Sequence, residues 1–299
     1  MSVHSQAGSE RPVTTLTFRA RKSARQRVVI VTAYDAASAR LVDEAGVDAI
    51  LVGDSMGMTV LGFDSTLPVT MDDIARATGA VVRGTKRALV IADMPFLSFQ
   101  VSPEDALRNA GRLMAEAGAG AVKLEGGATV APTVRCLTEA GIPVMGHLGL
   151  TPQSVHQLGG FRVQARKAAA AEMLLEDCHA LEDAGAFAVV LECIPAELAT
   201  LATGRLAMST IGIGAGNGCD GEVQVFHDLL GLGGDFTPRH ARHYAEMGAG
   251  ITEAVARYSA DVRDGVFPGE EQTVHMEPDA LDEVSAWSAK HDPLRRGER

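Results

Sequence analysis

The sequence predicts an α/β protein of the (β/α)8 TIM-barrel class, built as a single domain. Three observations carry that reading: eight short apolar runs, segments of helical spacing between them, and one helix-to-strand turn used four times. The runs are residues 28–35, 49–55, 88–95, 120–127, 143–149, 187–195, 209–216 and 223–229. They are continuously apolar rather than alternating, which suits parallel strands covered on both faces, and parallel neighbours need crossover helices between them.

Segments 36–45, 103–117, 130–140 and 168–184 carry the helical spacing. Each ends in Ala-Gly, at Gly46, Gly118, Gly141 and Gly185, and glycine is the residue best suited to a left-handed helix stop. Eight strands alternating with helices over about 250 residues match the usual size of the closed barrel. An open, doubly wound sheet is the runner-up, since closure is not visible in a sequence. No Pro-, Gly- or Ser-rich linker divides the chain. The expected organisation is an N-terminal arm and first helix (1–27), a catalytic barrel (28–268) and a C-terminal extension (269–299) that is either a surface segment or disordered. Residues 11–27 are rich in Arg, Ser and Thr, as organelle transit peptides are. An arm or first helix is favoured, because Leu16 and Phe18 can pack.

Lys plus Arg number 27 against 38 Asp plus Glu, a net charge of −11. Unspecific binding to nucleic acid or to an anionic membrane needs a basic field, so neither is expected. Hydrophobic residues at 46% and charged residues at 22% allow a large core. No apolar run approaches the roughly 20 residues that span a bilayer, and the first fifteen residues hold no block like a secretory signal, so a cytoplasmic location is expected. Cys136, Cys178, Cys193 and Cys219 are scattered without a CxxC pair and read as reduced thiols.

In a barrel of this class chemistry sits at the carboxyl ends of the strands, and here five consecutive runs deliver an ionisable group there. The second ends in Asp54-Ser55, the third carries Asp93, the fourth Lys123 and Glu125, the fifth His147 and the sixth Glu192. A lone acid after a strand serves equally well as a helix cap. Asp54 and Asp93 on neighbouring strands would converge, however, and two like charges at a partly buried rim need a cation or a proton between them. An all-oxygen set without a cysteine cluster favours Mg²⁺ over zinc.

Lys123 and Glu125, two residues apart on a strand, share a face. They read either as an internal ion pair or as a cation facing an anionic substrate beside an acid that reaches the metal through its water shell. His147, near Gly146 and Gly149, is either structural or close to a ligand. Glu192 lies in an apolar run where desolvation is expected to disfavour its charge, which would fit it to take a proton from carbon. The alternative is a buried acid held by Arg or Lys. The segment Ile211-Gly212-Ile213-Gly214-Ala215-Gly216 has dinucleotide-fingerprint spacing, but the next run begins too soon for the required long helix. Close approach of a substrate or a neighbouring backbone explains it better.

Eight phrases in register, from "TAYD" at Thr32 through "LVGDSMGM", "STLPVTMDD", "ADMPF", "VKLEGG", "GHLGLTPQSV" and "LECIPAELA" to "TIGIGAG" at Thr210, resemble the ketopantoate hydroxymethyltransferase family. The resemblance implies a (β/α)8 barrel that binds Mg²⁺ and moves a one-carbon unit from 5,10-methylenetetrahydrofolate to 3-methyl-2-oxobutanoate, a 2-oxo acid. It implies that Asp54 and Asp93 bind metal and substrate, that Glu125 acts on the metal through water, and that Ser55 and Lys123 hold the substrate carboxylate. It further implies Glu192 as the base at C3, His147 near the incoming hydroxymethyl group, and a homo-oligomer, often a decamer. The chain departs from the family pattern at Arg76-Ala77, at Gln164-Ala165 in place of Gln-Gly, and at Pro238-Arg239-His240 in place of Pro-Lys-Phe. These places bear on folate binding or subunit contacts, and no folate-site residues are assigned. The rival readings are another Mg²⁺-dependent carbon–carbon lyase or mutase of the phosphoenolpyruvate/isocitrate type, whose catalytic Cys loop is not visible, and a non-catalytic barrel.

Overall fold

Each apolar run narrows to a strand of four to six residues, and Asp93, Glu125, His147 and Glu192 stay within their strands while Asp54 falls just beyond its own. In the computed structural model, which describes residues 11–233 and 238–291, the strands are β1 (Val28–Thr32), β2 (Ala49–Val52), β3 (Leu89–Asp93), β4 (Ala121–Glu125), β5 (Val144–Gly149), β6 (Ala188–Glu192), β7 (Ser209–Ile213) and β8 (Gly221–Gln224). All are parallel and ordered as in the sequence, and β8 pairs with β1 through Val28↔Gly221 and Ile30↔Val223. Closure therefore decides for the barrel over the open sheet. Residues 1–10 of the expected N-terminal arm lie outside the described residues.

The connecting helices are α1 (Thr15–Ser23), α2 (Ala36–Glu44), α3 (Met56–Thr59), α4 (Met71–Gly84), α5 (Pro103–Gly111), α6 (Ala131–Glu139), α7 (Val155–Leu158), α8 (Ala168–Asp183), α9 (Ala196–Arg205) and α10 (Phe226–Leu229). The four Ala-Gly turns behave as the sequence predicts, with Gly46, Gly118, Gly141 and Gly185 all at positive φ between 84° and 94°. The helix expected over 103–117 is regular to Gly111 and continues as a π-helical turn, Arg112–Glu116. The eighth run differs from expectation: the strand covers Gly221–Gln224 and residues Phe226–Leu229 are helical. The Phe226 amide donates to Thr32 Oγ1 at 3.1 Å, a side-chain acceptor that takes the place of a ladder partner.

The barrel lies in the first of two compact units, Met1–Glu246 and Met247–Arg299. The second unit contains α11 (Met247–Arg263) and α12 (Pro278–His291), so the stretch expected as an extension is helical over much of its described part; 292–299 lie outside the described residues.

Period-two alternation along the strands separates two apolar layers. Val28 and Ile30, Leu89 and Ile91, Ala121, Met145, Ala188 and Val190 form one buried cluster, the barrel interior. Their neighbours Val31, Val90, Val122, Val144 and Val189 belong to a second cluster, packed against the helices. From α1, Phe18 enters the interior cluster and meets Phe187 edge-to-face at 5.3 Å. Leu16, expected to pack with it, is 74% exposed. Lys22 anchors the same helix through Asp220 at 2.6 Å, and that carboxylate also accepts from the Thr210 amide at 2.9 Å.

At the other end, Gly149 closes the seam between β5 and β6. Its φ is +92°, and a Cβ there would collide with the Glu192 carbonyl oxygen, which accepts from the Leu150 amide at 2.8 Å. Gly149→Ala is expected to cost about 2 kcal/mol or more from left-handed strain and overpacking. Urea unfolding checks this; an unchanged midpoint would mean that the seam has room.

Candidate active site

The alternation that makes the barrel interior apolar at one end places charge at the other. Continuing the inward positions along each strand leads from Ile91 to Asp93, from Ala121 to Lys123 and Glu125, from Met145 to His147, and from Val190 to Glu192. Asp54 follows β2 by two residues, and Asp54, Asp93, Lys123, Glu125 and His147 are all buried.

These groups meet. The Asp54 amide donates to Asp93 Oδ2 at 3.1 Å, and Lys123 Nζ donates to the same oxygen at 2.9 Å. Lys123 Nζ is also 3.4 Å from Glu125 Oε1. His147 bridges onward, with Nδ1 3.4 Å from Glu125 Oε1 and Nε2 3.1 Å from Glu192 Oε2. Those separations are within ion-pair reach, although neither ring nitrogen makes an aligned hydrogen bond.

Three buried carboxylates around one ammonium set the local titration. Burial and then the Asp93 charge push Asp54 well above the ordinary carboxylate range. Burial raises Asp93 too, with Lys123 opposing and Glu125 adding to the rise. Burial opposes ionisation of Glu125 as well, but Lys123, His147 and the Gln153 amide hold its carboxyl below the ordinary range. Burial works against the Lys123 charge, and Asp93, Glu125 and Asp54 outweigh it, so its pKa rises. For His147, burial and Lys123 oppose protonation; Glu125 and Glu192 outweigh them and raise its pKa to about 9.

Glu192 sits differently from the enclosed acid that its apolar run predicts. Its side chain is 15% exposed at the rim and is met by His147 rather than by an apolar wall. The residue after it, Cys193, has a φ of +49°, and its carbonyl accepts from the Gln164 amide at 2.9 Å. Ala165, which the resemblance marks as a departure, stands at a φ of +53°. His240, from the divergent Pro-Arg-His segment, places Nδ1 3.9 Å from Cys193 Sγ and packs on Gly214. The glycine-rich segment at the end of β7 thus admits neighbouring protein groups, as its small residues suggest. Arg76 and Ala77 lie within α4, with Ala77 buried.

Two residues were not singled out from sequence. Tyr34 Oη is 2.9 Å from Ser55 Oγ, and burial raises its hydroxyl pKa. Gln153 donates from Nε2 to Asp54 Oδ2 at 2.8 Å and to the Met94 carbonyl at 3.0 Å, and its amide donates to Glu125 Oε2 at 3.0 Å. Both occur inside the matching phrases, but an uncharged side chain there carries no signal of its own.

No group of three or more His, Cys, Asp or Glu among the described residues forms a ready-made metal cage. A hard divalent cation that keeps its own waters needs only one or two carboxylates. Asp93 Oδ1 is buried without a partner, and the hydrogen bonds at Asp54 and Asp93 fall on their Oδ2 atoms. The two Oδ1 atoms suit such a cation, whereas both Glu125 oxygens already have neighbours. Lys123→Met, which removes the sole ammonium from this cluster, is expected to destabilise the metal-free protein by about 3–5 kcal/mol. Denaturant unfolding in chelator checks it, and a change below about 1 kcal/mol would show that the acids do not depend on Lys123.

A sequence profile described as ketopantoate hydroxymethyltransferase matches residues 12–270. A 3-methyl-2-oxobutanoate hydroxymethyltransferase of Gluconacetobacter diazotrophicus is 58% identical over 269 residues, which is 90% of this chain and 97% of the relative. Relatives of the same name from Chloroflexus aurantiacus and Dehalococcoides mccartyi are 58% and 54% identical, covering 86% and 88% of this chain and 90% and 94% of their own. Among solved structures, a 2,3-dimethylmalate lyase of the PEP mutase/isocitrate lyase superfamily superposes with a TM-score of 0.56 at 18% identity, over 95% of this chain and 98% of its own. A phosphonopyruvate hydrolase in complex with oxalate and Mg²⁺ gives 0.57 at 12% identity, over 93% and 98%. Those two likenesses show a shared fold, whereas the sequence identities and the profile show that this chain belongs to the ketopantoate hydroxymethyltransferase family of enzymes.

Proposed function

We propose that the chain transfers a hydroxymethyl group from 5,10-methylenetetrahydrofolate to 3-methyl-2-oxobutanoate, giving 2-dehydropantoate, with Mg²⁺ held by Asp54 and Asp93. The observation that carries this reading, in a chain of this family, is the direct link between Asp54 and Asp93 at the ends of adjacent strands, 3.1 Å from amide to carboxylate, with Lys123 alongside. Both acids resist ionising together in so buried a place, which is the condition under which a cation is bound with most benefit.

Each residue has a role that its position allows. Lys123 Nζ carries three protons; two are directed at Asp93 and Glu125, and the third is available to a substrate carboxylate. Ser55, whose hydroxyl is held by Tyr34, supplies a second hydrogen bond to that carboxylate. Glu125 adds negative charge through the water shell of the site. When bound, Mg²⁺ supplies Lewis acidity to the keto group and so lowers the cost of placing negative charge on its oxygen. Glu192, at the rim, takes the proton from C3, and the C3 carbanion equivalent forms the new bond to the one-carbon unit, which gives up both of its bonds to folate nitrogen; water supplies the hydroxyl oxygen and tetrahydrofolate leaves. His147, beside Glu192, lies where the hydroxymethyl group arrives. A residue that only bound the oxo acid would not need this proximity of base, cation site and carboxylate anchor.

Formation of 2-dehydropantoate from the oxo acid and the folate is expected to require Mg²⁺, to stop in excess chelator and to return on adding metal. Product formed at the same rate in chelator would remove the metal from the reading; no product under any condition would remove the reaction. Glu192→Gln is expected to abolish exchange of the C3 proton with deuterium at least 100-fold, in the range of general-base catalysis, while Mg²⁺ binding survives. Retained exchange would place the base elsewhere.

A further inference from the structure

We infer that Gln153 is a positioning residue of the cation site, holding Asp54 and Glu125 so that the Oδ1 atoms of Asp54 and Asp93 are left for the metal; this rests on the Mg²⁺ reading above. Gln153 follows β5 in a short 3₁₀ turn, Pro152–Ser154, and is buried. Its Nε2 donates to Asp54 Oδ2 at 2.8 Å and to the Met94 carbonyl at 3.0 Å, so both of its protons are used. Its Oε1 accepts from Gln100 Nε2 at 3.2 Å. Because both groups facing Nε2 are acceptors, the amide has one orientation that satisfies its neighbours.

Through its main chain the same residue reaches a third strand. The Gln153 amide donates to Glu125 Oε2 at 3.0 Å, and the other Glu125 oxygen is near Lys123 and His147. One buried residue therefore ties the ends of β2, β3 and β4 to the loop after β5. Asp54 has an oxygen that is spoken for, Asp93 has Oδ2 occupied by Lys123 and the Asp54 amide, and Glu125 is engaged on both sides. Partners that orient ligating carboxylates commonly change metal affinity or activity by about 10–100-fold when removed.

The test compares Mn²⁺ binding, read by electron paramagnetic resonance of the free ion, in the parent chain, Asp93→Ala and Gln153→Met, with unfolding of each in chelator. Methionine keeps the length and volume of glutamine and leaves the backbone bond to Glu125 in place. Gln153→Met is expected to weaken Mn²⁺ at least 10-fold under conditions where its unfolding curve in chelator shows it fully folded, a loss that general instability would not produce. Should the methionine variant not fold, Gln153→Asn, whose amide falls one methylene short of Asp54, is expected to shift affinity in the same direction and decides the matter. Unchanged Mn²⁺ affinity in the variant that folds, with Asp93→Ala still weakened, overturns the positioning role and leaves the metal reading standing. No Mn²⁺ binding by the parent chain overturns the metal reading, and the role of Gln153 goes with it.

Discussion

The site depends on an imbalance of buried charge. Asp54, Asp93 and Glu125 are gathered around one ammonium, that of Lys123, with His147 at the edge. An isolated carboxylate taken out of water is costly, and three beside one cation, only two of them in contact with it, remain costly. The fold must therefore hold them against their mutual repulsion, through strand pairing that fixes Cα positions and through hydrogen bonds such as those of Gln153. The reserve of unfavourable energy is also what the proposed divalent cation would relieve.

That tension is kept at one end of the barrel. At the opposite end the ionic contacts are paired and structural: Lys22 with Asp220, Arg21 with Asp48 at 2.5 Å, and Asp43 accepting from the amides of Lys86 and Ala88 at 2.8 Å. Phe18 fills the floor between them. This division lets the rim change while the frame persists, as expected for a fold whose loops at the carboxyl ends of the strands carry function.

Around Glu192 the rim carries strained backbone. Cys193 and Ala165 both take left-handed conformations, joined through the Gln164 amide and the Cys193 carbonyl. His240 leans on Cys193 and Gly214. Two of the three places where the resemblance implies a departure thus gather beside the candidate base, while the third, Arg76-Ala77, is on α4. Local backbone strain of this kind persists only where surrounding contacts enforce it, and here those contacts come from the segments that carry Gln164 and His240.

Much of this was legible in sequence because it is local. Continuous apolar runs, Ala-Gly stops and the position of each acid relative to a strand end depend on neighbours a few residues away, and strand parity alone puts Asp93, Lys123, Glu125, His147 and Glu192 on the inward face. What tertiary structure decided were contacts across long separations: Asp54 with Asp93, 39 residues apart, and Gln153 with Asp54, 99 apart. The pairing of β8 with β1, the exposure of Glu192, and the choice of Lys123 to sit on Asp93 as well as Glu125 are of the same kind. Periodicity says which way a side chain points. Which oxygen it meets is set by the curvature and register of a closed barrel, and these exist only once all eight strands are in place.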